Sequence, residues 1–175
     1  MRIRRGSRRS CIDAVDHGER KPNGVSAGLP ARWHSTATEQ MVADWQNTVD
    51  GLASIGPPLA YVGWSMGMIF GASTVAAMGS VEAAVFGAGG VPTGTWIDDP
   101  PLRAMLLDDA SRLAQPQVLM LNMTQDQFFR TEDTHRFFDA IPGLRKRLMF
   151  GEGEHDEWPA EAIRHSVDFI NEHTR

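Results

Sequence analysis

Gly63-Trp64-Ser65-Met66-Gly67 sets one serine between two glycines in the pattern G-x-S-x-G. The chemistry of that pattern is nucleophilic. A serine held on a strained turn projects Oγ clear of its surroundings, and flanking glycines let neighbouring backbones pass where a Cβ would clash. The N–H of Met66, opening whatever helix follows, then points to where an oxyanion would form. A serine hydroxyl attacks poorly without a base, and the base needs an acid to fix its tautomer. Asp126 and His155 are the candidates, and the chain order Ser65, Asp126, His155 suits a nucleophile elbow of this kind. The plainer alternative, a serine in a turn of small residues, stays open.

Rivals exist for each partner. Asp126 could simply cap a helix, and Glu132 or Asp133 could supply the acid, although both fall about one helical turn later. The other histidines are His17, His34, His135, His165 and His173. Only His155 follows a late apolar run closely. Trp158 just beyond it and Trp64 beside the serine are candidates to contact a substrate, as is Trp96. Packing explains all three equally well.

These residues need a scaffold, and the pattern of the chain supplies one. Residues 20–33 are rich in Pro, Gly and polar side chains and read as loop. Thr36 and Glu39 fit a capping box, and Met41, Val42, Trp45, Val49 and Leu52 follow at helical spacing until Gly56-Pro57-Pro58. The spacing then predicts a strand over 59–62, a helix over 68–78, a strand over 81–86 and a Gly/Pro loop over 87–100. A helix over 101–113, a strand over 117–123 and a helix over 131–141 come next. A strand over 146–150 and an amphipathic helix over 159–173 complete the series. Apolar strands without alternation, separated by helices, predict an α/β fold with a mostly parallel sheet covered by helices on both faces. Ser65, Asp126 and His155 each fall just after a strand, at the carboxyl ends where ligand sites of such sheets gather.

The chain has 175 residues, a formal net charge of −5 and a single cysteine, Cys11. That length suits one domain with a sufficient core, and one cysteine excludes an internal disulfide and a Cys-rich zinc site. No run is long and apolar enough for a membrane helix. Residues 1–10 hold five arginines and no acid, which leaves 12 of the 17 basic residues and all 22 acidic ones to the other 165. So acidic a body disfavours a nucleic-acid partner. The basic tip lacks an apolar segment behind it, so it is expected to be a disordered leader, with the catalytic domain over 11–175. There is no HExxH and no GxxxxGK, and Gly87-Ala88-Gly89-Gly90-Val91-Pro92 breaks the dinucleotide pattern at Pro92. No cofactor and no metal are implied. The lone cysteine fits a reducing, cytoplasmic location.

GWSMG, the aspartate of LNMTQD and the histidine of GEGEHDEWP together resemble the α/β-hydrolase superfamily. More narrowly they resemble its dienelactone-hydrolase-like and small esterase branch. Residues 12–20, IDAVDHGER, are similar to the family's D-x-x-x-H-G-x-R stretch after its fourth strand. The resemblance covers 11–175. It implies a serine esterase in which Ser65 attacks, His155 relays the proton, Asp126 orients His155 and water releases the acid. It also implies an N-terminally truncated fold, because three or four strands normally precede that stretch. One oxyanion donor and the usual neighbour of the 59–62 strand would then be missing. The expectation is an exposed sheet edge, covered by residues 11–15 or by a second copy of the chain, or else a chain that is part of a longer protein, the reading favoured. The 87–100 loop is too short for a large lid, which favours short acyl esters or lactones. The alternatives are an inactive hydrolase-fold binding or scaffold module and an acyltransferase using the same three residues.

Overall fold

The computed structural model describes residues 9–21, 36–52, 58–94 and 99–174. Four strands, β1 (Leu59–Trp64), β2 (Val81–Gly87), β3 (Gln117–Met123) and β4 (Lys146–Gly151), form one sheet in the order β1-β2-β3-β4, and each adjacent pair is parallel. Among the described residues five α-helices precede, join or follow them: α1 (Thr36–Gly51), α2 (Met66–Met78), α3 (Pro100–Ser111), α4 (Thr131–Ala140) and α5 (Ala160–His173). The predicted elements all appear, within about two residues at most ends. α1 begins at Thr36 itself, one position too early for that threonine to be its cap. α3 is capped by Asp99, whose Oδ1 accepts the Leu102 N–H at 3.1 Å, with Pro100 opening the helix.

Each β-α-β crossover of a parallel sheet turns right-handed, so consecutive connections gather on one face when the strands run in sequential order. Accordingly α2 packs on β1 and β2, α4 on β3, and α1 and α3 flank α2. Between them lies the main core, with Ile69, Phe70, Phe86, Leu106, Met120 and Phe137 buried. α2 sits in the middle of this layer and is buried without a break from Met68 to Val75. Among the described residues the opposite face carries α5 alone, packed on β2 and β3, where Phe169 meets Ala83, Val85, Leu119 and Leu121. Helices on both faces explain why β2 and β3 read as largely apolar runs without alternation.

β1 is different. α5 packs chiefly on β2 and β3, and on β1 Ala60 is exposed and Val62 is 46% exposed. Among the described residues no strand pairs with its outer edge. Residues 11–15 do not fill that place. Glu19 N–H donates to the Asp13 carboxylate, Arg20 donates to the Asp13 carbonyl, and Asp16 and Gly18 take φ of 62° and 56°. These bonds curl the segment into an irregular turn whose Ile12, Ala14 and Val15 pack on the main core. Among the described residues no helix is long and apolar enough to cross a membrane.

Candidate active site

Between β1 and α2 the chain turns through Ser65, at φ 53° and ψ −114°. This is a conformation that side chains rarely adopt, and holding one there costs ~1–3 kcal/mol. The backbone is pinned on both sides. Ser65 N–H donates to the Gly87 carbonyl of β2 at 2.8 Å, and its own carbonyl accepts from Met68 and Ile69 at 2.9 and 3.2 Å. Gly63 is obligatory, because a Cβ there would lie 2.2 Å from the Gly67 carbonyl oxygen. Gly67 is not: a Cβ there meets nothing within 4 Å, so only one of the two glycines relieves a clash. Met66 opens α2, and its N–H finds no acceptor among the described residues.

The acid and base come from neighbouring loops. β3 ends at Met123 and β4 at Gly151, and the ladder continues past both as Thr124 N–H bonds to Gly151 O and Gln125 N–H to Gly153 O, at 2.9 and 3.0 Å. That extension sets the two loops side by side. The Asp126 carboxylate is fully buried, and its Oδ1 accepts the N–H groups of Phe128 and Phe129 at 2.8 and 2.9 Å. Its Oδ2 lies 2.8 Å from His155 Nδ1, and His155 Nε2 lies 2.9 Å from Ser65 Oγ. An ionised carboxylate only accepts, so the proton on this ring belongs on Nδ1; Nε2 is then left to accept from the serine hydroxyl.

The rivals are engaged elsewhere. Asp133 is buried but bonds the Arg130 N–H and the Thr93 hydroxyl, and Glu132 lies 3.4 Å from the Arg130 guanidinium. His17 bonds the Val15 carbonyl, His135 lies against Phe150, and His165 and His173 face Glu161 and Glu172. His34 and Trp96 fall outside the described residues. Trp64 and Trp158 pack on each other with ring centroids 4.3 Å apart, beside the core under α5. The Trp158 indole N–H donates to the His155 carbonyl at 2.7 Å. Their described contacts are those of packing and of support for the histidine loop.

Two contributors are not evident from sequence. Gln127 Oε1 accepts the His155 main-chain N–H at 3.1 Å, so the histidine backbone is held from both ends. Buried Asn122 on β3 donates its amide to the Phe129 carbonyl and to Thr134, tying the acid loop to α4. A polar residue inside the apolar run LMLNM is the one signal that marks Asn122 beforehand. Gln127 carries no such signal, because its partner is 28 residues away.

No protein-family model matches the sequence, and no curated protein sequence matches it. Solved structures do. The PEG-bound complex of a cold-adapted esterase from an Arctic intertidal metagenomic library superposes with a TM-score of 0.78 at 26% identity, over 93% of this chain and 68% of that one. The zinc-bound structure of such an esterase from the same source gives 0.71 and 24%, over 82% and 62%. An esterase of Pyrococcus furiosus gives 0.66 and 12%, over 85% and 66%. The chain thus spans 62% to 68% of the length of these esterase chains. Sheet order, strand-to-helix connections and these likenesses agree, and the chain belongs to the α/β-hydrolase superfamily.

Proposed function

We propose that the chain is a serine hydrolase that cleaves carboxylic esters, with short acyl esters or lactones as substrates. The observation that carries this reading is the unbroken hydrogen-bonded series Ser65 Oγ, His155, Asp126, with Oγ presented from a strained elbow. As Ser65 Oγ bonds to the carbonyl carbon, its proton passes to His155 Nε2, and the Asp126 carboxylate stabilises the imidazolium. The carbonyl oxygen becomes an oxyanion facing the Met66 N–H. Collapse breaks the ester C–O bond, and His155 gives its proton to the departing alcohol. A water molecule then attacks the acyl-serine, loses its proton to His155, and the acid leaves as Ser65 recovers its hydrogen. Esterases among the similar structures support ester chemistry and the small-esterase branch. Cys11 is free and exposed, in keeping with the reducing, cytoplasmic location we assign.

The test is intact-mass analysis after mixing the chain with p-nitrophenyl acetate, beside a Ser65→Ala control. One acetyl group gained and lost in the control is the expected result. A folded sample that gains none overturns the reading and leaves a binding module. An added alcohol acceptor that captures the acetyl group in preference to water would make the chain an acyltransferase.

A further inference from the structure

We propose that Tyr61 is a positioning residue for the elbow, a latch that sets the distance at which α2 leaves β1; this deepens the esterase reading and rests on it. Tyr61 stands on β1 two residues before Gly63, and its hydroxyl donates to the main-chain carbonyl of Gly67 at 2.8 Å. That carbonyl belongs to the first turn of α2, two residues past Ser65. It is also the atom that a Cβ on Gly63 would strike at 2.2 Å, so the bond is made where helix and strand approach most tightly.

The ring that carries the hydroxyl has little freedom. It lies edge-on to Trp45 of α1 at 5.8 Å and tilted against Phe86 of β2 at 6.2 Å. Cβ atoms on Gly63 and Gly71 would come within 2.7 and 2.2 Å of its Cε1, so the two glycines form the slot that the ring fills. Burial raises the phenol pKa well above its ordinary value, which keeps the hydroxyl a donor throughout the neutral range. Ser65 and Met66 are thus suspended between two fixed points. Behind them is the Ser65 N–H bond to Gly87, and ahead of them is the Gly67 carbonyl held by Tyr61.

Without the hydroxyl, the first turn of α2 loses its spacer and settles relative to β1. The Met66 N–H then shifts against Ser65 Oγ. The ring packs within the main core among Trp45 and Phe86, so ester binding is left alone. A small misplacement of reacting groups is enough to slow chemistry by large factors.

The experiment is Tyr61→Phe in the whole chain, which keeps the ring and removes one oxygen. The expected result is a fall in kcat on p-nitrophenyl acetate of about tenfold, with KM within about twofold, because the defect is in geometry rather than binding. Amide 1H–15N signals of Met66 and Gly67 should move, with those of β3 and β4 unchanged. A variant that loses thermal stability yet keeps kcat and both amide signals overturns the latch. If Tyr61→Phe does not fold, Gly71→Ala, which drives the ring and its hydroxyl off the carbonyl, must give the same loss confined to kcat; unchanged kcat there overturns the proposal. If the wild-type chain forms no acyl-enzyme, the esterase reading fails by itself, and the Met66 and Gly67 amide signals alone decide for or against the latch.

Discussion

Replacing Asp126 by Asn makes a demanding test of the site, because the structure dictates which way the new amide must face. Asp126 Oδ1 accepts two backbone N–H groups, from Phe128 and Phe129. Turning an NH2 toward them would set donor against donor in a fully buried position, at ~1–3 kcal/mol for each group left unpaired. The amide oxygen therefore stays at the Oδ1 place, and the NH2 takes the Oδ2 place, 2.8 Å from His155 Nδ1. A donor there holds His155 in the tautomer with its proton on Nε2. That nitrogen then faces Ser65 Oγ as a donor and cannot take its proton. In triads of this arrangement the wrong tautomer costs roughly 10⁴-fold in turnover, or ~5.5 kcal/mol of transition-state stabilisation. The assay is the rate of p-nitrophenol release by Asp126→Asn near neutral pH, beside two-dimensional 15N spectra of the His155 ring. The expected result is loss of three to four decades of rate, an intact fold and a proton on Nε2. A variant within tenfold of wild type, or one with its proton still on Nδ1, would refute the assignment of Asp126.

Gly67→Ala should keep or raise the melting temperature, since an added Cβ meets nothing within 4 Å and Ala gains roughly 0.5–1 kcal/mol over Gly in a helix; Gly63→Ala should lose soluble, folded protein, and equal behaviour of the two would contradict the clash described. Asp109 is buried between α2 and α3 beside Ser73 and Arg112, and its pKa is raised chiefly by burial. The native state thus holds this proton more tightly than the unfolded chain. The contribution is present below the unfolded carboxylate range and is lost as pH climbs through the folded pKa. Urea midpoints of wild type relative to Asp109→Asn should therefore fall from pH 4 toward pH 7, and a rising difference reverses the argument. Pairing of two copies along the open side of β1 should be weakened by Val62→Lys, because Val62 is 46% exposed there; light scattering that shows a wild-type monomer removes that pairing.

Much of this was legible because local and global signals agree. The runs at 81–86 and 117–123 are apolar at every position but Glu82, Gln117 and Asn122 and do not alternate, as a doubly covered strand requires, and both are central strands of the sheet. Asp126 and His155 were findable since each sits a few residues past a strand end, where a parallel sheet must deliver its side chains. What escaped depends on contacts between distant segments. Gln127 reaches His155 across two loops, and Tyr61 looks like one more strand residue until Gly63 and Gly71 are seen beside its ring and the Gly67 carbonyl at its hydroxyl. Residues 11–15, one of the three ways in which the sequence could cover the edge of β1, do not fill that place, because the Asp13, Glu19 and Arg20 bonds and the positive φ angles at Asp16 and Gly18 hold the segment in a turn. At Gly67 the G-x-S-x-G spacing predicts a steric demand that the structure does not impose, since a Cβ there meets nothing within 4 Å.

The left-handed backbone at Ser65 has a bearing on how this sequence changes over generations. Glycine tolerates that conformation freely, so Ser65→Gly should leave the folded chain at least as stable as before while removing the nucleophile. Mutation filtered for folding alone would accordingly run downhill from serine to glycine here, and a lineage freed from its chemistry would tend to lose the hydroxyl early. On the esterase reading, the hydroxyl at this position is held by its chemistry alone, since foldability by itself favours glycine there.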